Sequence, residues 1–509
     1  MRRLNRYCHI NMKMKLPKNM LLALMMATSL CGTLSYAETV SGLVVYDGVS
    51  ETYTKVDERL SIGKNADADI KLLNGAVYDM STTKKELELG SSSTHGNLTI
   101  IDSQYYGSGR NVWVYNSNIS VSGENSKLQF CVGETAGQNY RVLLGISGST
   151  VNIDLTNGAS FESSASQFVA CYGSGTTVNI NVDSSTFTQT ALTQNPTTYP
   201  IGSTGVWVEK SKETDALLAE YKREDGWYDV DSTGGGSSAK APGDTITYIC
   251  DSGTDKSGWK YGSVSNCTTN ISVINRGVMD IQSTLTYVGS FLDSIQGASN
   301  KSANFVIDGT SSVSFKRMAI YADTNIKNGG KFNATDVIVY DGAKLSYSLI
   351  DGCDEALFDA DTLTIKSGAV LEFSLAEALD TVSPLNMVMD TLSVTTSALL
   401  DANLVIEEGA IVAIDGINLD LNGNDLSIAD GAIFNIEGLT AEGNDGLFTL
   451  FSNVGSFDGE ETILVTINGQ QAAVTYDGTN VVAGVVPEPT TATLSLLALA
   501  TLAARRRRK

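Results

Sequence analysis

The chain has 509 residues, with 57 acidic and 35 basic side chains and a net charge of −22. Both ends are basic, with eleven of the 35 Lys and Arg, so the body from 38 to 486 holds 24 basic against 56 acidic side chains, a net −32. Such a surface repels phosphate backbones and anionic lipid, which argues against any nucleic-acid partner, while the length is ample for a large buried core.

At the N-terminus, Arg2, Arg3, Arg6, Lys13, Lys15 and Lys18 precede the apolar run MLLALMMATSL, and Ser35-Tyr36-Ala37 closes it with small residues. This order predicts a secretory signal peptide over 1–37, cut by signal peptidase between Ala37 and Glu38. The apolar run is short for a permanent membrane span. Leu30, directly before Cys31, is not the small residue that lipid attachment needs. Export permits disulfides among the remaining Cys131, Cys171, Cys250, Cys267 and Cys353. No two are spaced as C-x-x-C, Cys250 and Cys267 are the nearest pair in sequence, and the odd count leaves one thiol over.

Through the body a phrase recurs: a polar turn residue, Gly-Ala, then alternating apolar positions. It reads NGAVYDM from Asn74, NGASFES from Asn157, DGAKLSY from Asp341, SGAVLEF from Ser367, EGAIVAI from Glu408 and DGAIFNI from Asp430. Three residues after each glycine stands Tyr78, Phe161, Leu345, Leu371, Val412 or Phe434. Five after it stands Met80, Tyr347, Phe373, Ile414 or Ile436, with Ser163 the exception. Alternating strands such as VNIDL (151–155), LTI (363–365), LVI (404–406) and LSI (426–428) precede most copies. Glycine accepts the positive φ of a tight turn, Asn and Asp favour the same turn, and the period of two buries one face of each strand. The unit is strand, turn, strand, and it cannot bury its apolar face without stacked neighbours.

The glycines at 342, 368, 409 and 431 are separated by 26, 41 and 22 residues. Coils of about 20 to 27 residues, with 41 read as a double step, fit a β-solenoid. Asn and Ser at strand positions fit stacked polar ladders; a β-sandwich array with the same turns is the rival. The expected fold is all-β: a parallel β-helix with an irregular insertion, an N-terminal signal helix and a C-terminal sorting helix.

The stretch 191–262 interrupts the phrase. KSKETDALLAEYKREDGWYDV spaces Leu217, Leu218 and Tyr221 for one short helix, and STGGGSS at 232–238 reads as a loop. Trp207, Trp227, Tyr228 and Trp259 lie here as candidate sugar-stacking residues, or else as a satellite core beneath the insertion. The chain thus divides into 1–37 (signal peptide), 38–190 (solenoid), 191–262 (insertion), 263–440 (solenoid), 441–484 (terminal β capping segment) and 485–509 (tail).

Catalytic patterns are sparse. His95, in STHGNL, is the one histidine after the signal and stands near no nucleophile motif, so it reads as a loop residue. G-x-S-x-G, H-E-x-x-H and G-x-x-x-x-G-K-[ST] are missing, as are the N-T-D, D-D, G-H-G and R-I-K motifs of polygalacturonase-like solenoids. Carboxylate-pair chemistry stays open because acids abound; Asp225, Asp229 and Asp251 in the insertion are weak candidates. No cofactor is expected, and no metal site beyond loose calcium binding by the acidic surface.

The chain ends VVPEPTTATLSLLALATLAARRRRK. Pro487-Glu488-Pro489 is followed by an uncharged segment, Thr490 to Ala504, and then by Arg505, Arg506, Arg507, Arg508 and Lys509. Fifteen helical residues would span about 22 Å, less than a ~30 Å hydrocarbon core, with the basic end held on the cytoplasmic side. This layout closely resembles the PEP-CTERM sorting signal. The resemblance implies processing near Pro-Glu-Pro by an exosortase, a cysteine transpeptidase, and a cell-surface destination often linked with extracellular polysaccharide. The body is similar in style to autotransporter-passenger β-helices, with 446–457 and 462–482 as closing strands. Together these features predict an exported, surface-sorted protein with a transient or retained C-terminal membrane segment. The expected role is a non-enzymatic adhesin or matrix component that meets polysaccharide or other cell-surface molecules. The alternative is a carboxylate-based polysaccharide lyase or hydrolase, and a purely structural coat protein is a further reading.

Overall fold

The structure, a computed structural model, describes residues 38–52, 59–81, 86–107, 111–131, 141–146, 148–165, 167–190, 246–249, 266–283, 285–289, 300–350, 357–376, 397–415, 417–437, 447–458, 463–467 and 470–485. Among them every regular element is a β-strand. Before the closing strands, successive strands do not pair with each other; each pairs in parallel with a strand one coil later. Gly42–Asp47 pairs with Ala68–Leu73, which pairs with Gly96–Ile101, then Ser117–Ser122, Thr150–Thr156 and Thr177–Asp183. A second row runs Leu60–Ile62, Leu87–Leu89, Asn111–Val114, Arg141–Leu144 and Gln167–Ala170. A third runs Ser50–Thr52, Val77–Asp79, Gln104–Tyr106, Lys127–Phe130, Ser160–Ser163 and Thr186–Gln189. The chain visits the rows in turn, so the body is a parallel β-helix with three faces. In the order the chain meets them they are the first face (the Leu60 row), the second face (the Gly42 row) and the third face (the Ser50 row).

Alternation decides what points inward. In Thr177–Asp183, Val178, Ile180 and Val182 are buried, while Asn179 and Asn181 face out. The apolar positions expected from the Gly-Ala phrase are all buried: Tyr78, Phe161, Leu345, Leu371, Val412, Phe434 and the residues two further on, Ser163 included. Aromatic rings pile up along the interior, with Tyr78 stacked on Tyr105 at 5.6 Å and Phe161 on Phe187 at 4.4 Å between ring centres. The alanine of the phrase also belongs to the core. Ala76, Ala159, Ala343, Ala369, Ala410 and Ala432 are all buried at a corner where a larger side chain would meet the opposite strands.

The phrase occupies two different corners. Asn74-Gly75 and Asn157-Gly158 turn the chain from the second to the third face, both residues of each pair having positive φ. Asp341-Gly342, Ser367-Gly368, Glu408-Gly409 and Asp430-Gly431 turn it from the first to the second face, with positive φ at the glycine alone. The change follows a merging of faces. Lys331–Val339 is one continuous strand whose start pairs with Ser312–Phe315 of the third face and whose end pairs with Arg317–Ile320 of the first. Leu357–Ile365 and Ser397–Ile406 continue the merged form.

Two expectations are corrected. The 41-residue interval is a single coil: Val370 pairs directly with Ile411 and the Gly368 amide donates to the Gly409 carbonyl, so residues 377–396 lengthen one coil. Within 191–262, Ile246–Ile249 is a regular strand of the first face, between Gln167–Ala170 and Leu285–Val288. The insertion therefore returns to the stack before it ends. At the C-terminal end of the described residues the pairing changes. Ile463–Ile467, Gln470–Tyr476, Val481–Val485 and Leu447–Ser452 pair antiparallel, which ends the parallel ladder and covers its edge. The signal peptide, the helix expected around Leu217 and the sorting helix lie outside the described residues.

Candidate functional site

The second face carries the most regular outward surface. Asp69, Asn97, Asn118, Asn152, Asn179, Asn270, Asn304 and Asn325 stand in register, one per coil. Each is followed in sequence by an apolar residue of the interior, such as Ile153, Ile180 or Phe305, and so must point out. Every amide donates toward the N-terminal end of the stack. Asn97 Nδ2 donates to Asp69 Oδ1 at 2.8 Å, Asn118 to Asn97 at 3.1 Å, and Asn152 to Asn118 at 2.6 Å. Asn179 donates to Asn152 at 2.7 Å, and Asn270, Asn304 and Asn325 each donate to the preceding member at 2.8 Å. The first member explains the polarity: an ionised carboxylate only accepts, so an aspartate at the start forces each amide to donate backward.

A second, shorter row lies two residues along each strand, where Asn181 Nδ2 donates to Asp154 Oδ1 at 2.7 Å. Between the rows runs a shallow open groove lined by Asn152, Asp154, Asn179, Asn181, Asn270 and Ser272, among others. From Asn118 to Asn304 each amide uses one N–H and one oxygen lone pair within the ladder, whereas Asn97 Oδ1 accepts both the side-chain and the backbone N–H of Asn118. From Asn118 to Asn304 the second N–H and second lone pair remain for solvent or ligand.

The first face differs: part of its outward side is covered. Leu143, Val169, Tyr287 and Ala319 point away from the interior and are nevertheless buried, forming a second apolar cluster with Ile146 and Tyr321. Trp113, Tyr115, Tyr172 and Tyr340 pack against it; Tyr321 and Tyr340 stack at 4.2 Å. The sequence pointed instead to Trp207, Trp227, Tyr228 and Trp259, which lie outside the described residues, as do Asp225, Asp229, Asp251, Ala37, Pro487, Glu488, Pro489 and Arg505 to Arg508. Glu38 begins the first strand of the body.

Chemistry-bearing side chains are few. His95 is exposed in a corner, its Nδ1 3.0 Å from the Asn116 carbonyl and its amide donating to Asp67. Among the described residues no group of three or more His, Cys, Asp or Glu is placed to hold a metal ion. One carboxylate pair stands out. Asp359 and Asp401 are register partners where the first and third faces merge, with Asp361 close by. Burial, then the Asp401 and Asp361 carboxylates, push Asp359 above the usual aspartate range.

The sequence predicts stacked ladders of Asn and Ser in general terms, but singles out neither these asparagines nor this carboxylate pair. The signal for the ladder was present as Asn followed by Ile, Leu or Phe at 97, 118, 152, 179, 270, 304 and 325. Aligning those positions needs the register across the 191–245 and 250–265 stretches. Among the described residues, no helix is long and apolar enough to cross a membrane.

A family model described as the PEP-CTERM protein-sorting motif matches residues 485–509. No curated protein and no solved structure matches the chain. The motif supports an exported, surface-sorted protein and implies processing by exosortase-type machinery.

Proposed function

Starting from a chain that carries the PEP-CTERM sorting motif at residues 485–509, we propose that the solenoid body is a non-enzymatic surface rod, an adhesin or extracellular-matrix component that binds polysaccharide along its second face. The observation that carries this reading is the asparagine ladder with its groove. From Asn118 to Asn304 it offers one unused amide donor and one acceptor lone pair per coil, repeated at a strand spacing of about 4.8 Å. A hydroxyl-rich chain lying along the groove exchanges bonds to water for bonds to these amides at successive coils. Each contact is weak, and their number on one rigid surface supplies the avidity. The −32 charge of the body favours neutral polysaccharide; acidic polymers would need bridging calcium.

The test is to immobilise neutral and acidic polysaccharides and measure retention of the secreted protein with and without calcium. Retention on a neutral polymer that falls at least several-fold in an Asn152→Leu, Asn179→Leu double variant supports the reading. A chain retained by none of the polymers, under either condition, sinks it.

A second reading, a carboxylate-based polysaccharide lyase or hydrolase, draws on the Asp359–Asp401 pair. Asp359, held protonated to higher pH, has the character of a general acid beside a neighbouring carboxylate. Asp359 is exposed on its strand, which ranks this reading second. New reducing ends or unsaturated products that disappear in Asp359→Asn would reverse the order.

A further inference from the structure

Cys171 and Cys267 are 96 positions apart in sequence and adjacent in the fold. Cys171 follows the first-face strand Gln167–Ala170, and Cys267 opens the second-face strand Cys267–Ile274 one coil later. They meet at the corner between these faces, and each is fully buried. Their sulfurs reach across the coil boundary in both directions. The Cys171 Sγ lies 3.3 Å from the Thr268 carbonyl and 3.2 Å from the Thr269 hydroxyl; the Cys267 Sγ lies 3.3 Å from the Gly173 carbonyl. The Cys171 thiol also reaches the Cys267 sulfur itself. Cys131, the third cysteine of the described residues, bonds instead toward the Arg141 carbonyl at 3.7 Å.

We propose that Cys171 and Cys267 form a disulfide in the exported protein, and that this bond clamps together the two coils between which residues 191–245 and 250–265 leave and rejoin the stack. The bond rests on export, which the sorting motif supports, and is independent of what the second face binds. A bond between neighbouring coils requires side chains that already point at each other, because the sheet spacing holds the backbones. Here each sulfur already reaches a backbone carbonyl of the other's coil, so the two side chains face one another across the coil boundary. The oxidant is a disulfide donor of an oxidising compartment, either a thiol-oxidase protein or a small-molecule disulfide. The Cys267 thiolate attacks one sulfur of the donor and expels a thiolate, giving a mixed disulfide. The Cys171 thiolate then attacks the Cys267 sulfur and expels the second half of the donor. Two protons leave the protein thiols and the donor ends as two reduced thiols.

The chemistry of the two sulfurs suits this order. The Cys171 hydrogen bond, outweighing burial, holds the Cys267 thiol down to about 7, within reach of deprotonation at neutral pH, whereas burial alone pushes Cys131 far up. The closed ring would contain the whole aromatic-rich stretch, so its two feet on the solenoid could not separate when one coil frays.

Because both sulfurs are buried in the folded protein, the experiment uses the full chain unfolded with its thiols reduced and then refolded in the presence of oxidised glutathione. The product is denatured without reductant, alkylated and digested, and its peptides are weighed. The expected result is one cross-linked pair joining Cys171 to Cys267, two hydrogens lighter than the separate peptides and abolished by dithiothreitol. In Cys171→Ser, Cys267 should become alkylatable, and the converse should hold in Cys267→Ser. Should either variant fail to fold, the wild-type peptide map decides alone. Alkylation of both cysteines in the oxidised wild type, or a bond from either one to Cys131, Cys250 or Cys353, overturns the proposal.

Discussion

Asn270 donates its side-chain amide to Asn179 at 2.8 Å, although 91 residues of chain separate the two. The bond is as short as that from Asn325 to Asn304, which are joined by a coil of 21 residues. The solenoid therefore resumes after its longest excursion in the same register that it left. Alternation enforces this, because a slip of one residue would turn Ile271 and Val273 outward and bury Asn270 and Ser272.

The polarity of the ladder makes a directional prediction. In Asn179→Asp the new carboxylate still accepts from Asn270 but has nothing to donate to Asn152 Oδ1, so two acceptors face each other. The loss should be about 1–2 kcal/mol at neutral pH, the scale of one solvent-accessible hydrogen bond plus local repulsion. Asp69→Asn keeps an acceptor at the head of the ladder and should be close to neutral. Urea midpoints at a common slope measure both; equal losses would mean that the ladder has no functional direction.

Asn325 and Asn328 lie on one strand and on opposite sides of it. Asn325 faces out as the last ladder member, whereas Asn328 is fully buried. The Asn328 amide donates to the Tyr347 hydroxyl at 2.6 Å and the Leu357 carbonyl at 3.0 Å, and its oxygen accepts the Gly330 amide at 3.0 Å. Asn328→Ala leaves those groups buried without their partner and should cost about 2–4 kcal/mol, against about 1 kcal/mol or less for Asn325→Ala. Thermal or urea unfolding of the two variants side by side checks the order.

These asparagines mark where the sequence stops being legible. The strand–turn–strand unit was readable because Gly-Ala and alternating apolar residues are local signals, and Leu345, Phe373 and Ile414 are buried as that pattern requires. The single coil that joins Val370 to Ile411 was not readable, since an interval of 41 residues looks the same whether it is one long coil or two short ones. Alternation with Ile326 puts Asn328 on the inward side, but the Tyr347 hydroxyl that it meets there belongs to the next coil. Cys250 is the cysteine nearest to Cys267 in sequence, whereas Cys171, 96 positions away, is its neighbour in the stack. Each miss concerns a relation between coils, which is set by stacking register rather than by neighbouring residues.

Two corner glycines separate backbone strain from crowding. Gly342 has φ +75° and open space where a Cβ would stand, so Gly342→Ala should cost about 1 kcal/mol, the left-handed penalty alone. Gly63 has φ +77°, but its Cβ would lie 2.1 Å from the His95 carbonyl oxygen and 2.7 Å from the Gly96 Cα of the next coil. Gly63→Ala must force two coils apart and should cost at least twice as much. Comparable unfolding midpoints for the two variants would contradict this account of coil stacking.

The acidic body should show opposing pH effects at two sites. Asp359 sits above the usual aspartate range because of burial and then the Asp401 and Asp361 carboxylates. The folded state thus holds a proton that the unfolded chain releases, and stability falls as pH rises from the ordinary aspartate range through the raised value. Asp359→Asn should be more stable than wild type at neutral pH and no different in strong acid. For Glu162, burial pushes upward but the hydrogen bonds from Lys127 and Gln129 outweigh it and hold the group below the usual range. Its contribution is present above the unfolded value and lost as pH falls through the lowered one. Glu162→Gln should therefore weaken the protein at neutral pH and converge with wild type in acid. Thermal midpoints from about pH 3 to pH 8 decide both signs.

The sorting motif makes the last prediction. The described body ends with Val481–Val485, which pairs antiparallel with Gln470–Tyr476, so the closing sheet is complete where the matched segment begins. Replacing Pro487, Glu488 and Pro489 by alanine should leave the unfolding midpoint unchanged, since the strands of that sheet pair with one another within residues 447–485. It should nevertheless abolish processing at the tail, leaving a chain larger by the uncut segment and held in the membrane fraction instead of at the cell surface. Fractionation with immunoblotting measures this in the producing cells. A variant that reaches the surface at wild-type size would show that processing does not read these residues and that export of the body depends on another signal.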